Sequence, residues 1–144
     1  MATPIEKLQE IGQSVWYDNI SRGIIESGEL QQLIDSGVTG LTSNPTIFQK
    51  AITESSDYDD ALMVLAKEGK SDSEIFETMG IEDIQATADM LRPAFDKRRG
   101  DDGYASFEVN PNLAHDTQGT VEEARRLSAT IDRPNVMIKV PATP

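Results

Sequence analysis

Four short apolar segments stand out along the chain, separated by stretches that carry helix signals. They run from Ser14 to Ile20, around Val15-Trp16-Tyr17; from about Gly40 to Ser43; from Tyr104 to Val109; and from Asn135 to Val140. The third is entered by the turn sequence Gly100-Asp101-Asp102-Gly103 and the fourth is released by Pro134, the punctuation expected of strands. Ser71-Asp72-Ser73-Glu74 and Thr120-Val121-Glu122-Glu123 each set a hydroxyl three residues before a glutamate, the spacing of a capping box. Asn44-Pro45 puts an N-cap before a proline at the first helical position, so a helix should start directly off the second strand. Gly37 follows Leu33-Ile34-Asp35-Ser36 as a helix stop, and Asp57-Tyr58-Asp59-Asp60 reads as a helix start without calcium-loop spacing. Ser55 to Arg99 reads as helical nearly throughout, broken near Gly69 and Gly80, which is more than one crossover requires.

The order is helix, β, α, β, several helices, β, α, β. Strands separated by helices imply a parallel sheet, either an open doubly wound sheet or a closed barrel. No glycine-rich G-x-G-x-x-G follows any strand, so a dinucleotide-binding sheet has no support.

Strands of a parallel sheet are usually apolar on both faces, and these four are not. Side chains alternate along a strand, so parity sorts them by face. Trp16 and Asp18 share one parity, as do Thr42 and Asn44. Ser106, Glu108 and Asn110 oppose Ala105, Phe107 and Val109; Met137 and Lys139 oppose Val136, Ile138 and Val140. If the aliphatic set packs on the helices, a carboxylate, an amide, a second carboxylate and a lysine converge at the C-terminal strand ends, where barrels build their sites. Each residue alone has a plainer reading. A strand lysine is usually an exposed edge residue, but Val-Met-Ile-Lys-Val-Pro is too apolar for an edge. Asp18 could cap the helix at Ser21-Arg22, and Glu108 could be a surface residue. His115 and Asp116 lie in a loop and read as structural or solvated.

Composition narrows the chemistry. The 144 residues suffice for one domain with a core, and their net charge is −12, from 25 acidic and 13 basic residues. The only basic cluster, Lys97-Arg98-Arg99, reads as a solvated helix end, so no nucleic-acid partner is expected. There are no cysteines, which removes disulfides, thiolate metal sites and cysteine nucleophiles. No signal peptide is visible and no apolar run approaches the ~18 residues of a membrane span. The expected location is the cytoplasm, away from membranes, where the sequon match Asn19-Ile20-Ser21 has no meaning.

A lysine among apolar neighbours loses solvation for its ammonium form, so its pKa should fall and free the amine as a nucleophile toward a carbonyl. Two nearby carboxylates can share the proton transfers. This suits class I aldol chemistry, which requires neither metal nor organic cofactor. The alternative pairs Lys139 with Glu108 or Asp18 as a structural salt bridge.

Gly40-Leu41-Thr42-Ser43-Asn44-Pro45-Thr46-Ile47-Phe48 resembles the first signature of the transaldolase family, and Val136-Met137-Ile138-Lys139-Val140-Pro141-Ala142-Thr143 resembles the start of the second, which contains a Schiff-base lysine. Ser14-Val15-Trp16-Tyr17-Asp18 and Ser106-Phe107-Glu108-Val109 are similar to the segments bearing that family's two catalytic carboxylates. The long helical stretch after the second strand resembles the longer bacterial branch. The resemblance implies transfer of a dihydroxyacetone unit between sugar phosphates in the pentose phosphate pathway: sedoheptulose 7-phosphate and glyceraldehyde 3-phosphate give erythrose 4-phosphate and fructose 6-phosphate. It implies Lys139 as nucleophile, Asp18 as the base for the C4 hydroxyl, Glu108 acting through a water, and Asn44, with Thr42 a weaker candidate, as substrate-binding residues.

The expected fold is α/β: the first half of a TIM (β/α)8 barrel, four parallel strands with an extra helical insertion after the second. Residues 1–144 form a single partial domain that lacks strands five to eight, because a closed barrel needs about 250 residues. The family's later threonine or serine and its phosphate-binding arginines fall outside these residues. Alone, the chain is expected to be inactive and to favour self-association through its exposed half-barrel edges. The competing readings are another class I aldolase, the transaldolase part of a fusion with phosphoglucose isomerase, and a non-catalytic half barrel.

Overall fold

A computed structural model describes residues 3–143. Strands β1 (Trp16–Tyr17), β2 (Gly40–Thr42), β3 (Tyr104–Glu108) and β4 (Val136–Lys139) form one sheet in the order β1-β2-β3-β4, with every neighbouring pair parallel. Parallel neighbours need crossovers, and helices supply them. Helix α1 (Pro4–Glu10) precedes β1; α2 (Arg22–Glu26) and α3 (Glu29–Asp35) join β1 to β2. Helices α4 (Pro45–Glu54), α5 (Asp59–Lys67) and α6 (Asp72–Lys97) join β2 to β3, and α7 (Thr117–Ile131) joins β3 to β4. The architecture is the α/β, four-strand parallel arrangement expected, with the helical insertion where the sequence put it. Among the described residues, no helix is long and apolar enough to cross a membrane.

The helix starts follow local chemistry. Asn44 Oδ1 accepts the Ile47 N–H at 2.9 Å with Pro45 opening α4. Ser71 and Glu74 complete a reciprocal capping box on α6. Gly37 turns the chain out of α3 at φ +112°, a conformation that favours glycine. Lys97 ends α6 and Arg98 caps it, so the basic triplet is a helix end.

Three expectations need correction. The helix before β4 is not capped by Thr120. Asp116 lies one turn earlier and accepts the Gly119 N–H at 2.9 Å, so α7 begins at Thr117 and the Thr120 hydroxyl instead donates back to the Leu113 carbonyl. Gly80 does not break a helix; α6 runs through it for 26 residues. A Cβ there would lie 3.1 Å from the Phe107 ring, so this glycine lets α6 lie close on β3. The first strand shrinks from the expected Ser14–Ile20 to two residues. Beyond it, Asn19 Oδ1 accepts the Ile20 N–H and Ser21 caps α2, so local side-chain bonds replace the ladder.

The aliphatic parity set faces the helices. Leu41, Ala105, Phe107 and Val109 are buried with Phe48, Ile84, Ala88, Leu91, Leu127 and Ile131, while Val136 and Ile138 pack against that core. Phe48 and Phe107 meet edge to face at 5.8 Å between centroids. On the opposite face Gly40 stands directly across from Trp16, and a Cβ at Gly40 would overlap the indole.

The helical layer has its own charged anchor. Arg22 Nε donates to Asp83 Oδ1 at 3.0 Å and its Nη2 to Glu82 at 2.9 Å. The wholly buried Tyr58 donates its hydroxyl to Asp83 Oδ2 at 2.7 Å and accepts the Arg22 main-chain N–H at 2.8 Å. Burial and the neighbouring Asp83 carboxylate push the Tyr58 phenol well above its ordinary range. These bonds tie α2, the start of α5 and the middle of α6 together, which orders the helices between β2 and β3.

Candidate functional site

Glu108 and Lys139 end adjacent strands and are partners in register, so alternation brings both to the polar face of the sheet. Lys139 Nζ lies 3.2 Å from Glu108 Oε2 and donates to the Ser43 main-chain carbonyl at 2.7 Å. The Lys139 side chain is 39% exposed and that of Glu108 20%. The amine therefore does not sit among apolar neighbours, as the strand's sequence led us to expect. The flanking Val136 and Ile138 point to the helices, and Nζ lies between a carboxylate and a carbonyl.

One cleft at this end of the sheet is lined by Asp18, Asn44, Lys50 and Glu108, with Pro45 and Pro111 among its walls. Each arrives by a separate element. Asp18 follows β1 directly and is exposed. Asn44 follows β2; one side-chain atom caps α4, leaving the amide nitrogen uncommitted by that bond. Glu108 closes β3. Three of the five expected site residues thus share a cleft. Lys139 is not among its lining residues and joins it through the contact with Glu108. Thr42 is half-buried, two residues before Asn44 and in register with Ser106.

Sequence reasoning passed over Ser43 and Lys50. Ser43 contributes a main-chain carbonyl, for which no side-chain pattern exists. Lys50 shares the cleft because six residues of helix carry it from Asn44 along the first turns of α4; the sequence offered only a charged residue on an unassigned face. Among the described residues it makes no salt bridge.

The family model for transaldolase/fructose-6-phosphate aldolase matches residues 15–144, all four strands included. The chain belongs to this family. Transaldolase-family relatives match almost the whole of it. It is 46% identical over 141 residues to the transaldolase of Neisseria gonorrhoeae, covering 98% of this chain and 40% of the relative. It is 47% identical over 138 residues to the transaldolase of Thiobacillus denitrificans, covering 95% and 38%. Transaldolase 1 of Streptomyces coelicolor is 49% identical over 143 residues, covering 99% and 38%. The chain spans about two fifths of the length of these curated relatives.

Proposed function

We propose that this chain carries the nucleophile and both proton-transfer carboxylates of a transaldolase that moves a dihydroxyacetone unit between sugar phosphates. The observation that supports this most directly is the Lys139 amine held between Glu108 and the Ser43 carbonyl, beside the cleft that Asp18, Asn44 and Glu108 line. Lys139 Nζ adds to the C2 carbonyl of a ketose phosphate. Loss of water, with Glu108 relaying protons through a solvent molecule, gives an iminium ion. Asp18 takes the C4 hydroxyl proton as the C3–C4 bond breaks, and the bond's electrons move into the iminium to give an enamine. Asn44, with Thr42 behind it, holds the hydroxyls of the retained three-carbon unit. The enamine attacks an acceptor aldose phosphate, and hydrolysis returns the amine. No metal or organic cofactor enters this sequence, and its place is the cytoplasm.

In this reading residues 1–144 are a partial (β/α) barrel, and the rest of the wall lies in the length that only the relatives show. Borohydride trapping with fructose 6-phosphate tests the chemistry in the full encoded polypeptide. The expected result is a reduced adduct mapped to Lys139; no adduct, or one on another residue, overturns the reading. Residues 1–144 alone should give little or no turnover, and robust activity from them overturns the partial-domain assignment.

The Lys139–Glu108 contact at 3.2 Å favours one second reading, a structural ion pair. Against it stands the exposure of both side chains, because a pair that water reaches contributes about 0–1 kcal/mol.

A further inference from the structure

We propose that Ser43 is a positioning residue that aims the Lys139 amine, an inference that rests on the Schiff-base reading above. Ser43 is wholly buried, and its hydroxyl touches nothing that reacts. It donates to the Ser106 carbonyl at 2.7 Å, and the Ser43 main-chain N–H donates to the same oxygen at 3.3 Å. Two bonds from one residue onto one oxygen of β3 fix Ser43 just beyond the end of β2, where ladder pairing stops at Thr42. The carbonyl of that fixed residue is the one that accepts Lys139 Nζ–H at 2.7 Å.

The consequence follows from the shape of an amine. A neutral lysine nitrogen is tetrahedral, with one direction taken by Cε, two by N–H bonds and one by the lone pair. The Ser43 carbonyl accepts one N–H bond, and the Glu108 carboxylate, 3.2 Å from the nitrogen in an ion-pair contact, disfavours a lone pair on its side. With one N–H pinned and the carboxylate repelling the lone pair, the lone pair is biased to the remaining direction. Without a fixed carbonyl at residue 43, that N–H has no partner and the amine turns about its Cε–Nζ bond, spreading the lone pair over several directions. Preorganising the attacking atom raises the rate of attack without tightening the binding of the ketone.

The test uses dihydroxyacetone, a ketone that needs no phosphate-binding residue, with borohydride, in the full encoded polypeptide. Adduct at Lys139 is followed by peptide mapping as ketone concentration is varied. Ser43→Ala should lower the maximal trapping rate about fivefold to tenfold, the size one net hydrogen bond makes in a rate, and leave the half-saturating ketone concentration unchanged. Ser43→Thr, which keeps the donor, should recover to within twofold of the parent rate. If Ser43→Ala does not fold, as judged by circular dichroism, Ser43→Cys replaces it with a weaker donor of similar volume and should show the same loss. Equal maximal rates in parent and Ser43→Ala, or a Ser43→Thr rate as low as that of Ser43→Ala, overturn the aiming role while the Schiff-base reading stands. Absence of a Lys139 adduct in the parent itself overturns both.

Discussion

Lys139 and Arg22 are both cations held against a carboxylate, and they differ in what is left over. Around Arg22 almost nothing is. Asp83 is 3% exposed; one of its oxygens takes Arg22 Nε and the other the Tyr58 hydroxyl, while the guanidinium lies 5.0 Å from the centre of the Tyr58 ring. Both Asp83 oxygens and the Tyr58 hydroxyl are engaged inside the protein, which makes the cluster an anchor. Lys139 has a carboxylate on one side, a carbonyl on another and a side chain 39% exposed, so one direction at its nitrogen stays open. The same charge pairing holds three helices in one place and leaves an amine open to solvent in the other. Saturation, more than charge, separates the two.

Substitutions sharpen that contrast. Lys139→Met should remove the trapped adduct entirely while urea unfolding shifts by no more than about 1 kcal/mol, because the pair it breaks is part-exposed. Asp83→Ala should do the reverse, costing about 3–5 kcal/mol in the same urea measurement by stranding Arg22 and Tyr58, with the folded fraction still trapping ketone at Lys139. A Lys139 variant that unfolds, or an Asp83 variant as stable as its parent, breaks the comparison.

Tyr58→Phe deletes one hydroxyl from the anchor and should cost about 1–3 kcal/mol at neutral pH. It also carries a pH signature. The folded-state phenol lies above its ordinary value of 10.0, so the folded form holds that proton where the unfolded chain releases it. The stability this contributes is fully present below pH 10.0 and is lost as pH rises toward the folded value. The parent should therefore lose stability faster than Tyr58→Phe above that pH; parallel curves from denaturant titrations would remove Tyr58 from the account.

The smallest expected effect is at Gly80. Alanine gains roughly 1 kcal/mol of helix propensity there and loses a similar or larger amount by crowding Phe107 at 3.1 Å. A net loss of about 1 kcal/mol in thermal unfolding is expected, and a clear gain would mean that α6 does not depend on that close approach.

What was legible in the sequence divides along a physical line. Features decided within a few residues could be read directly: the Asn44-Pro45 helix start, the Ser71–Glu74 box, the Gly37 stop, and the parity that set Glu108 and Lys139 on one face. Features decided across layers could not. Gly80 looked like a breaker because helix propensity is local, whereas Phe107, the residue that calls for a glycine there, is 27 positions away. Thr120 had the spacing of a cap, but Asp116 stood one turn earlier and took the role. The environment of the Lys139 amine was misjudged because the neighbours along the strand point the other way from it. Ser43 was invisible for a further reason: its part in the site is played by an atom every residue possesses.

The glycine at position 40 has a practical consequence. The space it leaves is filled by Trp16, the chain's single tryptophan, on the sheet face that carries Lys139 and Glu108. Intrinsic fluorescence excited at the indole thus comes from one known place, on a two-residue strand with a single pairing partner. The protein has a built-in optical reporter on its edge strand, and its emission gives a label-free view of whatever next comes to lie against that strand.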